Sequence, residues 1–226
     1  MFGVVEFYEA AVKAGIKPII GMEAYVAPRK HTDRDPAYDK RANHLVLLAE
    51  NMTGYRNLLK LASIAQLEGF YYHPRIDHDL LAEHSEGLIA TSACLGGEAP
   101  RFLKNGQEDK AIKALDFYFD LFGRERFFLE LMRHDIPELH KVNQALLEIG
   151  PRFDAQYVAT NDVHYVDPAD ARLQDILLAI QTASLVTDAK RMRMDGETYY
   201  LRSPQEMADL FADVPEAISN TLLIAE

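Results

Sequence analysis

Apolar positions along the chain alternate between a helical and an extended spacing. Val4, Val5, Tyr8, Ala11 and Val12 recur at helical intervals over residues 3–14, and Gly15 is a natural C-terminal stop. Pro18-Ile19-Ile20 then begins a short strand directed toward Glu23 and Tyr25, and the charged, proline-containing stretch 27–42 reads as a loop. His44 opens an extended run through Leu45 to Ala49, after which Thr53 sits where it would cap a helix carrying Leu58, Leu59, Leu61, Ala62 and Ala65. The aromatic cluster Phe70-Tyr71-Tyr72-His73-Pro74-Arg75 precedes a short polar helix. Gly87 to Thr91 reads as a strand running into Ser92-Ala93-Cys94-Leu95-Gly96-Gly97. A helix over 108–121, a strand over 126–131, a helix over 136–149 and a strand over 157–160 follow. The last third is mostly helical, including 168–181, and Ser203-Pro204-Gln205-Glu206 has the form of a capping box.

Strands separated by helices of this length imply βα units and a mainly parallel sheet. About five strands are too few for a closed barrel, which leaves an α/β open sheet or an incomplete barrel. Nothing in the composition marks an interdomain linker. With 24 Lys and Arg against 35 Asp and Glu the net charge is −11, which argues against a sequence-independent polyanion clamp. It leaves room for a metal site that handles phosphates, because clustered ligands are themselves acidic. The single cysteine, Cys94, excludes an internal disulfide and suits a reducing compartment. No apolar run approaches a membrane span and no basic-then-apolar leader opens the chain, so the expectation is a soluble cytoplasmic protein without a membrane partner.

The sharpest local signal for chemistry is Asn161-Asp162-Val163-His164-Tyr165, directly after a strand. In extended backbone residues two apart share a side, so Asp162 and His164 would reach one metal together; the plainer alternative is a helix cap beside a surface histidine. Cys94 follows another strand and reads either as a soft ligand or as a small buried hydrophobe. Glu23, among apolar neighbours, needs a partner, whether a metal or a Lys or Arg. His44 stands at the start of its strand, which suits a strand-end site only if that strand runs opposite to the others. His134 is a further candidate; His73 and Arg75 read as phosphate contacts or as plain surface, and His31, His78, His84 and His140 are assigned no role. No Walker loop, dinucleotide glycine fingerprint or nucleophile elbow is present.

Several of these segments together resemble one family. Gly15-Ile16-Lys17-Pro18-Ile19-Ile20-Gly21-Met22-Glu23, Asn43-His44-Leu45-Val46-Leu47-Leu48-Ala49, Asn51-Met52-Thr53-Gly54-Tyr55, Gly69-Phe70-Tyr71-Tyr72-His73-Pro74-Arg75-Ile76-Asp77, Ser92-Ala93-Cys94-Leu95-Gly96-Gly97-Glu98 and Ala159-Thr160-Asn161-Asp162-Val163-His164-Tyr165 are similar to the polymerase-and-histidinol-phosphatase (PHP) domain. More narrowly they resemble its version in the alpha subunits of bacterial DNA polymerase III, and the tail from Tyr199 to Thr221 extends that likeness. The resemblance implies a distorted (βα) barrel with up to three metal ions in its mouth. It assigns metal-ligand roles to Glu23, His44, Cys94, Asp162 and His164, with Asp162 and His164 also catalytic. Zinc is the metal expected, with manganese or iron as alternatives.

It further implies a 3′–5′ exonuclease of a replicative polymerase, with DNA, the remaining alpha-subunit domains and other replisome subunits as partners. A free-standing phosphoesterase and a non-catalytic structural module are the competing readings. The family pattern opens with His-x-His and Asp-His-Gly-Asn strands that have no counterpart here. The expectation is therefore a PHP domain over 1–198 lacking its first strands, holding fewer ions and without appreciable exonuclease activity. Residues 199–226 would be the helical start of a connection to the polymerase core.

Overall fold

The computed structural model describes all 226 residues. Helix α1 (Val4–Lys13) leads to β1 (Gly21–Val26) and β2 (Asn43–Ala49), joined by the charged loop 27–42. Then follow α2 (Met52–Leu67), β3 (Phe70–Tyr71), β4 (His73–Ile76), α3 (His78–Glu83), β5 (Leu88–Thr91), α4 (Glu98–Lys104), α5 (Glu108–Phe122), β6 (Phe127–Met132), α6 (Pro137–Ile149) and β7 (Gln156–Thr160). Helices α7 (Ala171–Gln181), α8 (Pro204–Leu210) and α9 (Pro215–Ala225) close the chain. No helix is long and apolar enough to cross a membrane.

The seven strands lie in the order β3-β4-β1-β2-β5-β6-β7, an α/β sheet that forms an incomplete barrel wall with helices at its C-terminal end. The sheet is mixed, and the expectation of a mainly parallel one is corrected. Pairs β1–β4, β5–β6 and β6–β7 are parallel, whereas β1–β2, β2–β5 and β3–β4 are antiparallel. The reason lies in the connection between β1 and β2: it contains no helix, so nothing carries the chain back across the sheet before the next strand. Because β2 is reversed, its first residues, Asn43 and His44, lie at the same end of the sheet as the C-termini of β1, β5, β6 and β7.

Strands β5 and β6 are buried along their whole length, as near-continuous apolar segments in mid-sheet should be. Leu45 and Leu47 of β2, Leu58 and Leu61 of α2, Leu115 and Tyr118 of α5 and Phe127, Leu129 and Leu131 of β6 form the main core. Phe211, Val214 and Ala217 join it from the C-terminal helices, and Asn220 Nδ2 donates to the Tyr157 carbonyl at 2.9 Å. Helix α2 is capped by Asn51, whose Oδ1 accepts from Gly54 N at 3.1 Å, and not by Thr53. The capping box at Ser203 forms as expected, with Glu206 reaching back to the Ser203 amide.

The aromatic cluster at 70–75 is a tight hairpin held by a buried cation. Arg75 is fully inaccessible and its guanidinium donates to four carbonyls, those of Gly69 (3.1 Å), Asp39 (3.1 Å), His31 (2.8 Å) and Asp33 (2.7 Å). It pins the loop 27–42 to β4 and has no free donor face for a phosphate, which corrects that expectation. Replacing it with methionine leaves the Gly69 and Asp39 carbonyls buried without a donor and removes the donor from those of His31 and Asp33. Arg75→Met should cost about 3 kcal/mol in urea unfolding, and Arg75→Lys should recover little of it, because an ammonium cannot reproduce the planar fork.

Candidate metal centre

Three of the five candidate ligands converge directly. Glu23 lies within β1, not after it, and pairs with Val46 of β2, while its neighbour on the same face, Tyr25, pairs with His44. That diagonal brings Glu23 Oε1 to 2.6 Å from His44 Nδ1. Cys94, in the loop after β5, places Sγ 3.6 Å from the same nitrogen and accepts from Gly96 N at 3.4 Å. The ligand atoms of Glu23, His44 and Cys94 all lie within 4.8 Å of one another, a group that could hold a metal ion. Gly96 permits the approach: a Cβ there would stand 2.8 Å from His44 Nδ1.

A pocket of about 270 Å³ reaches from Glu23 and Cys94 to Asp162 at the end of β7, with Glu130 also in its lining, while His44 and His164 stand outside the lining. Asp162 does not follow strand alternation as the sequence suggested. Its φ is 45°, a left-handed conformation that Asp tolerates better than most residues, and it turns the chain sharply after β7. His164 Nδ1 donates back to the Asp162 carbonyl at 2.6 Å, so the pair is held by a local turn with Nε2 left as the available lone pair.

The charges in this pocket are mutually adjusted. The Cys94 sulfur and the Glu23 carboxylate raise the pKa of His44 to about 10, while the His44 hydrogen bond holds Glu23 below its usual range. Burial pushes Asp162 up, with the Glu23 charge adding and His164 opposing. The Glu23 and Asp162 carboxyls therefore stand with the Cys94 sulfur around one imidazolium, a donor set suited to a cation.

Sequence reasoning passed over two features. Glu130 is a lone charge in the apolar run Phe127-Phe128-Leu129-Glu130-Leu131-Met132, and that contrast was the available signal. It is 6% exposed, accepts from Thr160 Oγ1 at 2.5 Å and from Thr91 Oγ1, and burial raises its pKa. The second is the packing of His134 against Tyr199, whose rings stack 4.2 Å apart. His134 is buried, bonded through Nδ1 to Thr198 Oγ1 at 2.8 Å, and does not line the pocket. His73 is exposed and stacks on Tyr25, which meets the His44 ring edge-on. His31 and His78 pair with Asp77 and Glu98, also outside the pocket.

The model of the PHP domain family matches residues 1–134. The whole chain aligns with DNA polymerase III subunit alpha of Borreliella burgdorferi at 46% identity over 227 residues, covering 20% of that protein. It aligns with the same-named subunit of Thermus aquaticus at 45% over 230 residues and of Helicobacter pylori strain 26695 at 41% over 238 residues, each alignment covering 19% of the relative. The chain thus spans about a fifth of the length of the curated relatives it matches.

Burial, with Arg202 and His164 nearby, lowers the pKa of His134 from 6.5 to about 4. The unfolded chain takes up this proton first as pH falls, so the contribution is intact above pH 6.5 and is lost between pH 6.5 and 4. His134→Phe, which keeps a stacking ring, should shrink the stability difference between pH 7 and pH 4.5 by about 2 kcal/mol in urea unfolding at the two values.

Proposed function

The chain belongs to the PHP domain family, and on that premise we propose that the pocket between Glu23 of β1 and the loops after β5 and β7 binds divalent cations for phosphoester hydrolysis. The observation that carries this reading is the convergence of carboxylate, imidazole and thiol within 4.8 Å of one another, beside a second carboxylate across one small pocket. Borderline-soft donors of this kind favour zinc, ahead of manganese or iron. Glu23, His44 and Cys94 would hold one ion, and Asp162 with His164 Nε2 would complete the ligand set from the far side. Bound there, a divalent ion supplies an acidified water and charge neutralisation at a phosphoryl oxygen.

The chain's own groups support this in definable ways. His44, whose acidity is tied to Glu23 and Cys94, would have to give up a proton to serve as a ligand. The His164 Nδ1–H bond to the Asp162 carbonyl fixes the tautomer that presents Nε2. Asp162, with its pKa raised by burial, is the carboxylate placed to orient a water or accept its proton.

The whole-chain similarity to polymerase alpha subunits directs the reading of substrate and context. The substrate is the 3′ end of a DNA strand, the activity a 3′–5′ exonuclease in a replicative polymerase, and the setting the cytoplasm with other replisome subunits. Residues 1–198 form the PHP unit in this reading, and 199–226 lead toward the polymerase core.

Cobalt(II) titration tests the ligand set. The chain should bind cobalt with a thiolate charge-transfer absorbance. Cys94→Ala should abolish that band, and His44→Ala and Asp162→Asn should each weaken zinc at least about tenfold in competition. Unchanged spectra and affinity in all three variants would refute the site. When hydrolysis is assayed with the alpha subunit, Asp162→Asn should reduce release of a mismatched 3′ nucleotide by about a hundredfold or more while leaving primer extension intact.

A further inference from the structure

Residues 198–202 lie as a strap over the loop that carries Asp162 and His164. Asn161, 5% exposed, donates through Nδ2 to the carbonyls of Thr198 (2.9 Å) and Tyr200 (2.8 Å) and accepts at Oδ1 from Arg202 Nε (3.1 Å). Main-chain bonds run from His164 N to the Tyr199 carbonyl (2.8 Å) and from Leu201 N to the Tyr165 carbonyl (3.1 Å). The Tyr199 ring, 5% exposed, is stacked on His134 and meets the His164 ring edge-on at 5.7 Å. The strap belongs to no helix or strand, pairs with the loop only through a single parallel bridge between Tyr165 and Tyr200, and lies outside the 1–134 family match.

Such an arrangement exceeds what holding down a loop requires. Asp162 occupies a left-handed backbone, and both of its flanks are bonded to the strap: Asn161 by side chain, His164 by main chain and ring. The contacts that bring Glu23, His44 and Cys94 together are made between β1, β2 and the β5 loop, with no strap residue among them. The strap's hydrogen bonds and ring contact therefore fall on the Asp162–His164 side of the site.

We propose that Asn161 and Tyr199 are positioning residues that hold Asp162 and His164 in ligand geometry, so that docking of the 198–202 strap and occupancy of the cation pocket favour each other. The proposal rests on the metal-centre reading above. By linkage the coupling is reciprocal: a docked strap raises metal affinity, and bound metal holds the strap down.

Hydrogen exchange and zinc competition on the intact chain test this. Saturating zinc should slow exchange of the His164 and Leu201 amides at least about tenfold relative to the apo chain, with α5 and β6 amides unchanged. Tyr199→Ala should weaken zinc roughly tenfold or more, and Tyr199→Phe, which keeps the ring, should bind as the wild type does. Should Tyr199→Ala fail to fold, the exchange experiment on the wild-type chain decides alone. Zinc binding with unchanged exchange at His164 and Leu201, or with equal affinity in a folded Tyr199→Ala, would overturn the strap's role. Absence of zinc binding by the wild type would instead remove the metal-centre reading on which it rests.

Discussion

The direction of one strand governs the pocket. Had β2 run parallel to β1 and β5, His44 would stand at the far end of the sheet, about 20 Å from Cys94 and Asp162. Reversed, it meets Glu23 across the β1–β2 ladder at 2.6 Å and Cys94 at 3.6 Å. The reversal follows from a long polar connection without a helix, and that connection is in turn pinned by the buried guanidinium of Arg75. A structural cation on β4, in register with Tyr25 of β1 and outside the pocket lining, thus helps to secure the strand arrangement on which the pocket depends.

Charge is the second constraint. Glu23, Asp162 and the deeply buried Glu130 share one pocket, and each of the latter two is pushed toward its neutral form by desolvation and by neighbouring carboxylates. The His44 imidazolium beside Glu23 and the Thr91 and Thr160 hydroxyls bonded to Glu130 offset that density. Clustering of this sort is unfavourable for stability alone. It is intelligible as preparation for a multivalent ion.

Much of this was legible in the chain and some of it was not, for physical reasons. Helices with a clean apolar stripe, such as α5 and α6, and strands bounded by glycine, such as β5, declare themselves locally. Strand direction does not, because it is decided by what lies between strands, and so the pattern reads as a mainly parallel sheet in which a reversed β2 is only a condition for a site at His44. Asp162 and His164 were read as an extended pair from spacing, whereas a left-handed turn, invisible in a pattern of side chains, sets their geometry. Arg75 looked like a surface cation because the carbonyls that surround it come from residues about 40 positions away as well as nearby ones. Tyr199 and Asn161 carried no chemical signature of their own; their significance comes from contacts between segments 37 to 39 residues apart.

The central claim is that side chains from β1, β2, the β5 loop and the β7 loop form one cation-binding centre. Anomalous diffraction from crystals of the chain grown with zinc, recorded on either side of the zinc absorption edge, tests it most directly. The account predicts an anomalous peak within coordination distance of Glu23, His44 and Cys94, with Asp162 or His164 turned toward the same pocket. Density confined to surface histidines, with Cys94 and Glu23 unliganded, would contradict it.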